Sequence, residues 1–228
     1  VTENERTSRR QRPAKPALTR QGIVDAAVSI MQSEGLGKVT MRSVAAALDT
    51  GPASLYVYVR DVEDLHAQIL DAQLAPVGAA RPEGTWQDRL KALLTSYQQV
   101  LLQHTGIARM ALSTQPSGPH YLALLDRLLD LLHEGGVAPK AAAWGVDLLL
   151  LVPTASAVEH APKTPARPPD DRTALAAQIV AADPRIHPHI AALGDDLLSG
   201  TGEARRDWAL EALIAGIVAL SAHELEQE

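Results

Sequence analysis

Apolar residues recur at helical spacing through most of the chain, and the breaks between those stripes divide it. Thr19 is a suitable N-cap for a first helix, whose stripe is Ile23, Ala26, Ala27 and Ile30 and whose end is Gly35. Thr40 caps a second, with Val44, Ala45 and Leu48 on one face. Asp49-Thr50-Gly51 then interrupts the period with residues that tolerate turn dihedrals. Pro52 suits the first turn of a third helix, where its missing N–H costs nothing, and Leu55 and Val59 point back into a small core. Two short helices joined this way form a helix-turn-helix, whose second helix can enter a DNA major groove. A fourth helix begins near the N-cap Asp61, has Val62, Leu65, Ile69 and Ala72 or Gln73 on its inner face, and runs to about Ala75.

Val77 to Thr85, with Gly78, Pro82 and Gly84, reads as a boundary, after which the chain is richer in Leu and Ala. Trp86, Leu90, Leu93, Leu94, Tyr97, Val100 and Leu101 mark a long helix ending near Gly106, and a short one holds Ile107 to Ser113. Tyr121 to His133 follows, with Leu122, Leu125, Leu128, Leu129 and Leu132 inward and Gly135-Gly136 as its stop. Pro139 opens a helix through Trp144, Leu148 and Leu151 to about His160, which Pro153 should kink. The run from Pro162 to Pro169 reads as a loop and Thr173 to Ala182 as a short helix, while 183–203 has no clear pattern. The last helix, from Glu203 or Ala204, is apolar over too wide a face for one neighbour and belongs in a bundle. The expected fold is all-α: a three-helix helix-turn-helix DNA-binding domain over 18–75 and a helical ligand-binding and dimerisation domain over 86–228.

Charge changes this picture at the N-terminus. The chain carries −6 overall, yet residues 6–20 hold Arg6, Arg9, Arg10, Arg12, Lys15 and Arg20 and no acid. A basic arm, residues 1–17, therefore precedes the helix-turn-helix, as contact with phosphate would require, and the body is acidic. With Pro13, Pro16 and no periodicity, that arm is expected to be disordered when free. Absence of cysteine excludes disulfides, thiolate metal sites and Cys nucleophiles, and fits a reducing cytoplasm. No uninterrupted apolar run approaches a membrane span, so no membrane role is expected. There is no Gly-x-Ser-x-Gly elbow and no Gly-rich phosphate loop, His187-Pro188-His189 lacks a third ligand, and Asp126 and Asp130 flank Arg127 like a solvated face. Neither an enzyme nor a metal or cofactor site is expected.

The outward residues suit DNA. Arg42 can pair with guanine, and Ser54, Tyr56 and Tyr58 can donate to phosphates or base edges. Thr40-x-Arg42-x-Val44-Ala45-x-x-Leu48, then Ser54-Leu55-Tyr56-x-Tyr58-Val59, then Leu65, resembles the DNA-binding head of the TetR-family repressors over about Leu18 to Leu74. That family often has Gly where Asp49 stands and Lys where Val62 stands. The expected DNA contacts are Thr40, Arg42, Pro52, Ala53, Ser54, Tyr56, Tyr58 and Arg60.

In the second region Tyr97, His104, Arg109, Tyr121, Trp144, Asp147 and His160 are polar or aromatic residues on otherwise apolar helices, and they form the candidate ligand-binding set. Trp86, Thr114-Gln115-Pro116 and the Thr154 to Glu159 stretch resemble the sensor domain of the tetracycline repressors. There a His three residues before that Thr helps hold a magnesium–drug complex; here the position is Ala111, and a second carboxylate ligand falls near His160. The resemblance implies the sensor fold without that metal–drug ligand. It also implies a homodimer in which the last helix and the one from Pro139 form a four-helix bundle with the partner. The chain therefore reads as a repressor that binds a pseudo-palindromic double-stranded DNA operator and is released by a small-molecule effector. An activator, a DNA-binding regulator without a ligand response, and an all-α small-molecule-binding enzyme are the alternatives.

Overall fold

The computed structural model describes residues 17–79, 82–103, 105–114, 116–160 and 171–225. The basic arm lies outside the described residues apart from Ala17, as do His104 and the Pro162–Pro169 loop. Among the described residues every regular element is helical, with no strand. The helices are α1 (Arg20–Glu34), α2 (Met41–Ala47), α3 (Pro52–Leu55), α4 (Val62–Gln73), α5 (Trp86–Gln103), α6 (Thr105–Ser113), α7 (Pro119–Glu134), α8 (Pro139–His160), α9 (Asp171–Val180), α10 (Pro188–Leu198) and α11 (Gly202–Leu225). The chain divides into two compact units, Val1–Leu65 and His66–Glu228. The division falls inside α4, so the C-terminal part of that helix packs with the second unit.

Local chemistry accounts for the first unit. Thr19 accepts the Gly22 N–H at 3.0 Å and starts α1. Thr40 and Ser43 cap α2 reciprocally: the Thr40 hydroxyl accepts the Ser43 N–H at 3.1 Å and the Ser43 hydroxyl accepts the Thr40 N–H at 2.9 Å. At the other end of α2 the Thr50 N–H bonds the Ala45 carbonyl at 2.9 Å and the Asp49 N–H that of Ala46 at 3.0 Å. This is a Schellman closure. Its left-handed residue is Asp49, at φ 49°, a conformation that Asp visits more readily than most residues with a Cβ. The turn thus takes the geometry that Gly usually supplies. Ile23, Ala27, Val44, Leu55 and Leu65, all fully buried, form the small core. Val62, expected inward, is 37% exposed: with the helix starting at Val62, its first residue stands at the rim of the head.

The second unit is built around α8, which packs against α5, α6, α7 and α11. By length and composition Pro139–Glu159 could cross a membrane, although Asp147 interrupts its apolar run. Packing against four other helices accounts for the buried part of that hydrophobicity, while Trp144, Leu148 and Leu151 stay exposed. The helix continues through Pro153, which offers no N–H to the Leu149 carbonyl. Gly106 lies inside α6, because the break between α5 and α6 falls earlier than expected. The inner face of α7 also differs from expectation. Leu124, Leu128, Leu131 and Leu132 are buried, whereas Leu122 is 56% and Leu129 38% exposed. In a helix this rich in leucine several stripes fit the period equally well. The unpatterned stretch contains α10, which packs against α9 and buries none of its own residues.

Two helices of this unit begin without caps of their own. Gly118 precedes Pro119 at the start of α7 and has no side chain to offer. The acceptor comes from α4: Asp71, 7% exposed, accepts the Tyr121 N–H at 2.8 Å. At the start of α8 the buried Ser221 of α11 accepts the Ala138 N–H at 2.6 Å. Each bond satisfies an orphan donor from a distant part of the chain.

Candidate DNA interface and effector cavity

In the first unit Thr40, Arg42, Pro52, Ala53, Ser54, Tyr56 and Arg60 are all exposed, on α2, α3 and the turn after it. Leu55 and Val59 are buried between them and hold the backbone. Arg60 lies 3.5 Å from Asp64 with its side chain 85% exposed. Asp64 in turn accepts the Arg60 N–H at 2.9 Å, and Asp61 accepts the Asp64 N–H at 2.7 Å, so Arg60 sits on a capped helix start. Tyr58 departs from the expectation. It is half-buried, and its hydroxyl donates to the Leu18 carbonyl at 2.7 Å. Its proton is committed to tying the chain before α1 to the turn after α3, so it is a scaffold residue rather than a phosphate donor. The exposed set presents two guanidiniums and several hydroxyls on a short frame, the chemistry of phosphate and base-edge contacts.

The second unit holds a cavity of about 260 Å³ walled by α4, α5, α6, α7 and α8. Tyr97, Tyr121 and Asp147 from the expected set line it, with Leu70, Leu74, Ala111, Leu112, Thr114, Pro116, Leu150, Leu151 and Thr154. Ala111, standing where the tetracycline repressors carry a His, is thus a cavity residue. Arg109 and Trp144 do not line it. Trp144 is 67% exposed on α8, with the Lys140 ammonium 4.7 Å from its ring centre. Of His160 only the backbone is described, at the end of α8. The leucines, Pro116 and Thr154 were not foreseen. Thr154 had a signal, a hydroxyl directly after a proline in an apolar helix; the leucines had none that separates a cavity wall from a core.

Inside the cavity the Tyr97 hydroxyl bonds Thr154 Oγ1 at 2.9 Å, and Thr154 Oγ1 lies 2.7 Å from the Leu150 carbonyl. Burial pushes the Tyr97 hydroxyl up to about 12, against the Thr154 hydrogen bond, which lowers it. Tyr121 is also raised, first by burial and then by the negative charge of Asp147. A folded-state value raised above the ordinary 10 means that the contribution of Tyr97 to stability is complete below pH 10 and is lost as pH rises through about 12. The difference in urea midpoint between wild type and Tyr97→Phe should therefore be constant below pH 10 and shrink from pH 10 to 12. A constant difference across that range would show that the hydroxyl is not held neutral by the fold. Among the described residues no group of three His, Asp or Glu side chains is placed to hold a metal ion.

An exposed helix-turn-helix and a second helical unit with a cavity lined by apolar and polar side chains define a class: a DNA-binding regulator with a helical C-terminal domain. The chain belongs to the tetR family of bacterial regulatory proteins. Residues 23–69 match that family's model, and residues 78–221 match the tetracyclin repressor-like C-terminal domain. It is similar to an HTH-type transcriptional regulator of Saccharopolyspora erythraea, 35% identical over 50% of this chain and 49% of that one. It is likewise similar to the HTH-type transcriptional repressor DrrR1 of Streptomyces coeruleorubidus, 34% identical over 58% of this chain and 50% of that one. The matches span about half the length of these curated relatives. Among solved structures it resembles SCO7704, a Streptomyces transcription regulator, with 44% identity, a TM-score of 0.74, and coverage of 90% of this chain and 96% of that one. ActR of Streptomyces coelicolor, solved in complex with actinorhodin, matches at 32% identity and a TM-score of 0.75, covering 90% of this chain and 99% of that one.

Proposed function

We propose that this regulator is a homodimeric repressor which binds a pseudo-palindromic operator and is released when a small-molecule effector enters the α4–α8 cavity. The observation that carries the reading is the identity of two wall residues: Leu70 and Leu74 belong to α4, the helix that runs on from the helix-turn-helix. A ligand between those leucines and α8 bears directly on α4. Two recognition helices must stand roughly 34–36 Å apart to enter successive major grooves, so a small tilt of α4 in each protomer changes the fit. The complex of ActR with actinorhodin supports a ligand response in this fold. Apolar surface supports the dimer: Trp144, Leu148 and Leu151 on α8 and Trp208, Val218 and Leu220 on α11 are all 38% exposed or more in one chain. Cytoplasmic location follows from the role.

On DNA, Arg42 reads a base, Ser54 and Tyr56 hold phosphates, and the arm adds contacts without sequence preference. Duplexes selected from a random pool would supply the operator. Arg42→Ala should then weaken binding by about 1–3 kcal/mol and relax selectivity at one base position. Removing residues 1–17 should weaken binding to every duplex and flatten its salt dependence. The release step has a thermodynamic test. An inducer must bind free protein more tightly than the operator complex, by the factor with which it weakens DNA binding. Selection of no sequence from the pool, or equal affinity of every cavity ligand for free and DNA-bound protein, would refute the reading.

A further inference from the structure

We propose that the cavity takes an apolar ligand whose buried end is a neutral hydrogen-bond donor of the phenol or alcohol class, and that it rejects an ether or a carboxylate at that end. The inference rests on the cavity being the effector site. It follows from counting protons. Thr154 Oγ1 lies 2.7 Å from the Leu150 carbonyl oxygen. A carbonyl has no proton, so the threonine donates its only one there. Tyr97 Oη lies 2.9 Å from the same Thr154 Oγ1. With the threonine proton committed, Tyr97 is the donor of that bond, and its only proton is committed too. The hydrogen bonds therefore run one way, from Tyr97 to Thr154 to Leu150, and the open end of the chain is the Tyr97 oxygen, an acceptor.

Tyr97 and Thr154 both stand on the cavity wall, and they are 4% and 3% exposed. A ligand O–H continues the chain outward. An ether or carboxylate oxygen instead meets lone pairs. It can gain a donor from Tyr97 only by breaking the bond to Thr154, which leaves a buried acceptor unsatisfied. Charge acts in the same direction. Asp147 lies on the cavity wall but is exposed, and it disfavours an anion beside it. The half-buried Tyr121 hydroxyl on the same wall also keeps its proton, so the donor rule concerns the end of the ligand that meets Tyr97. Leu70, Leu74, Leu150 and Pro116 supply the apolar wall between these polar groups. The wall thus selects a scaffold that is apolar except for a donor at one end.

Three naphthalenes of one shape test this: 2-naphthol, 2-methoxynaphthalene and 2-naphthoate, titrated calorimetrically into the full-length protein at pH 7. The naphthol should bind about tenfold more tightly than either of the others. Tyr97→Phe removes the acceptor and should bring naphthol and ether to within about twofold of each other. Thr154→Val frees the Tyr97 proton for the ligand, so the preference should turn toward the ether and the carboxylate. This variant carries the test alone if Tyr97→Phe does not fold. Equal binding of naphthol and ether, no binding of the naphthol up to its solubility limit, or a wild-type preference surviving in Thr154→Val would each overturn the proposal. Adding the selected operator separates the two readings. Naphthol bound with the expected preference but without effect on DNA affinity would refute the effector role and leave the donor rule standing.

Discussion

Replacing Leu148 by Glu should convert the protein to a monomer in sedimentation and reduce operator affinity about a hundredfold or more. Leu148 is 48% exposed on α8, between Trp144 and Leu151 on the same exposed side. In the proposed four-helix bundle each protomer contributes that face together with exposed apolar residues of α11, Trp208 and Leu220 among them. A carboxylate there would have to be buried without a partner, which opposes association by several kcal/mol. The loss on DNA is larger than the loss of one contact. A dimer binds its second half-site as an intramolecular event, and linkage of this kind is worth about 10²–10⁴ in affinity. The fold of each chain should be unchanged, because the substituted position is on the outside. Undiminished dimer mass at micromolar concentration would place the interface elsewhere.

Gly118→Val should destabilise the second unit by about 2–4 kcal/mol, read from urea unfolding and as a lower melting temperature. A Cβ at this position would stand inside van der Waals contact with the carboxyl carbon and both oxygens of Asp71. The backbone itself is ordinary at φ −82°, so the requirement for Gly is spatial and not conformational. The Asp71 carboxyl cannot move away without giving up the Tyr121 N–H, and it would then be buried without its acceptor role fulfilled. Combining Gly118→Ala with Asp71→Ser, which shortens the facing side chain, should recover part of the loss, and strict additivity of the two changes would show that they do not meet.

The head was more legible in the sequence than the sensor, and the reason is range. Thr19, Thr40, Asp49 and Leu55 act on neighbours within a few residues, so capping, turn chemistry and period located α1, α2 and the start of α3 almost to the residue, whereas α3 ends at Leu55 and leaves Val59, expected on its stripe, beyond the helix. Asp71 and Ser221 act across 50 and 83 residues, and nothing beside them announces it. The only trace was negative: Gly118-Pro119 opens a helix with no oxygen to cap it. Trp144 shows a different limit. On a helix apolar nearly all round, the pattern does not say which side faces its own bundle, and an aromatic residue that resembled a pocket wall stands outside. Tyr97, Tyr121 and Asp147 did meet around one cavity, because a polar group on an otherwise apolar helix face is uncommon unless it has something to bond.

Asp71 and Tyr121 together make a single amide a gauge of helix position. The Tyr121 N–H is the donor at the head of α7, its acceptor rides on α4, and the tyrosine's own ring lines the cavity. Any sliding of α4 lengthens that one bond before it disturbs the rest of α7. The ¹⁵N–¹H resonance of Tyr121 should then shift with effector, and its hydrogen exchange should quicken as the bond stretches, while the amides of the second and later turns of α7 stay protected. One labelled tyrosine would thereby follow the movement of α4 in solution, without DNA and without a reporter dye.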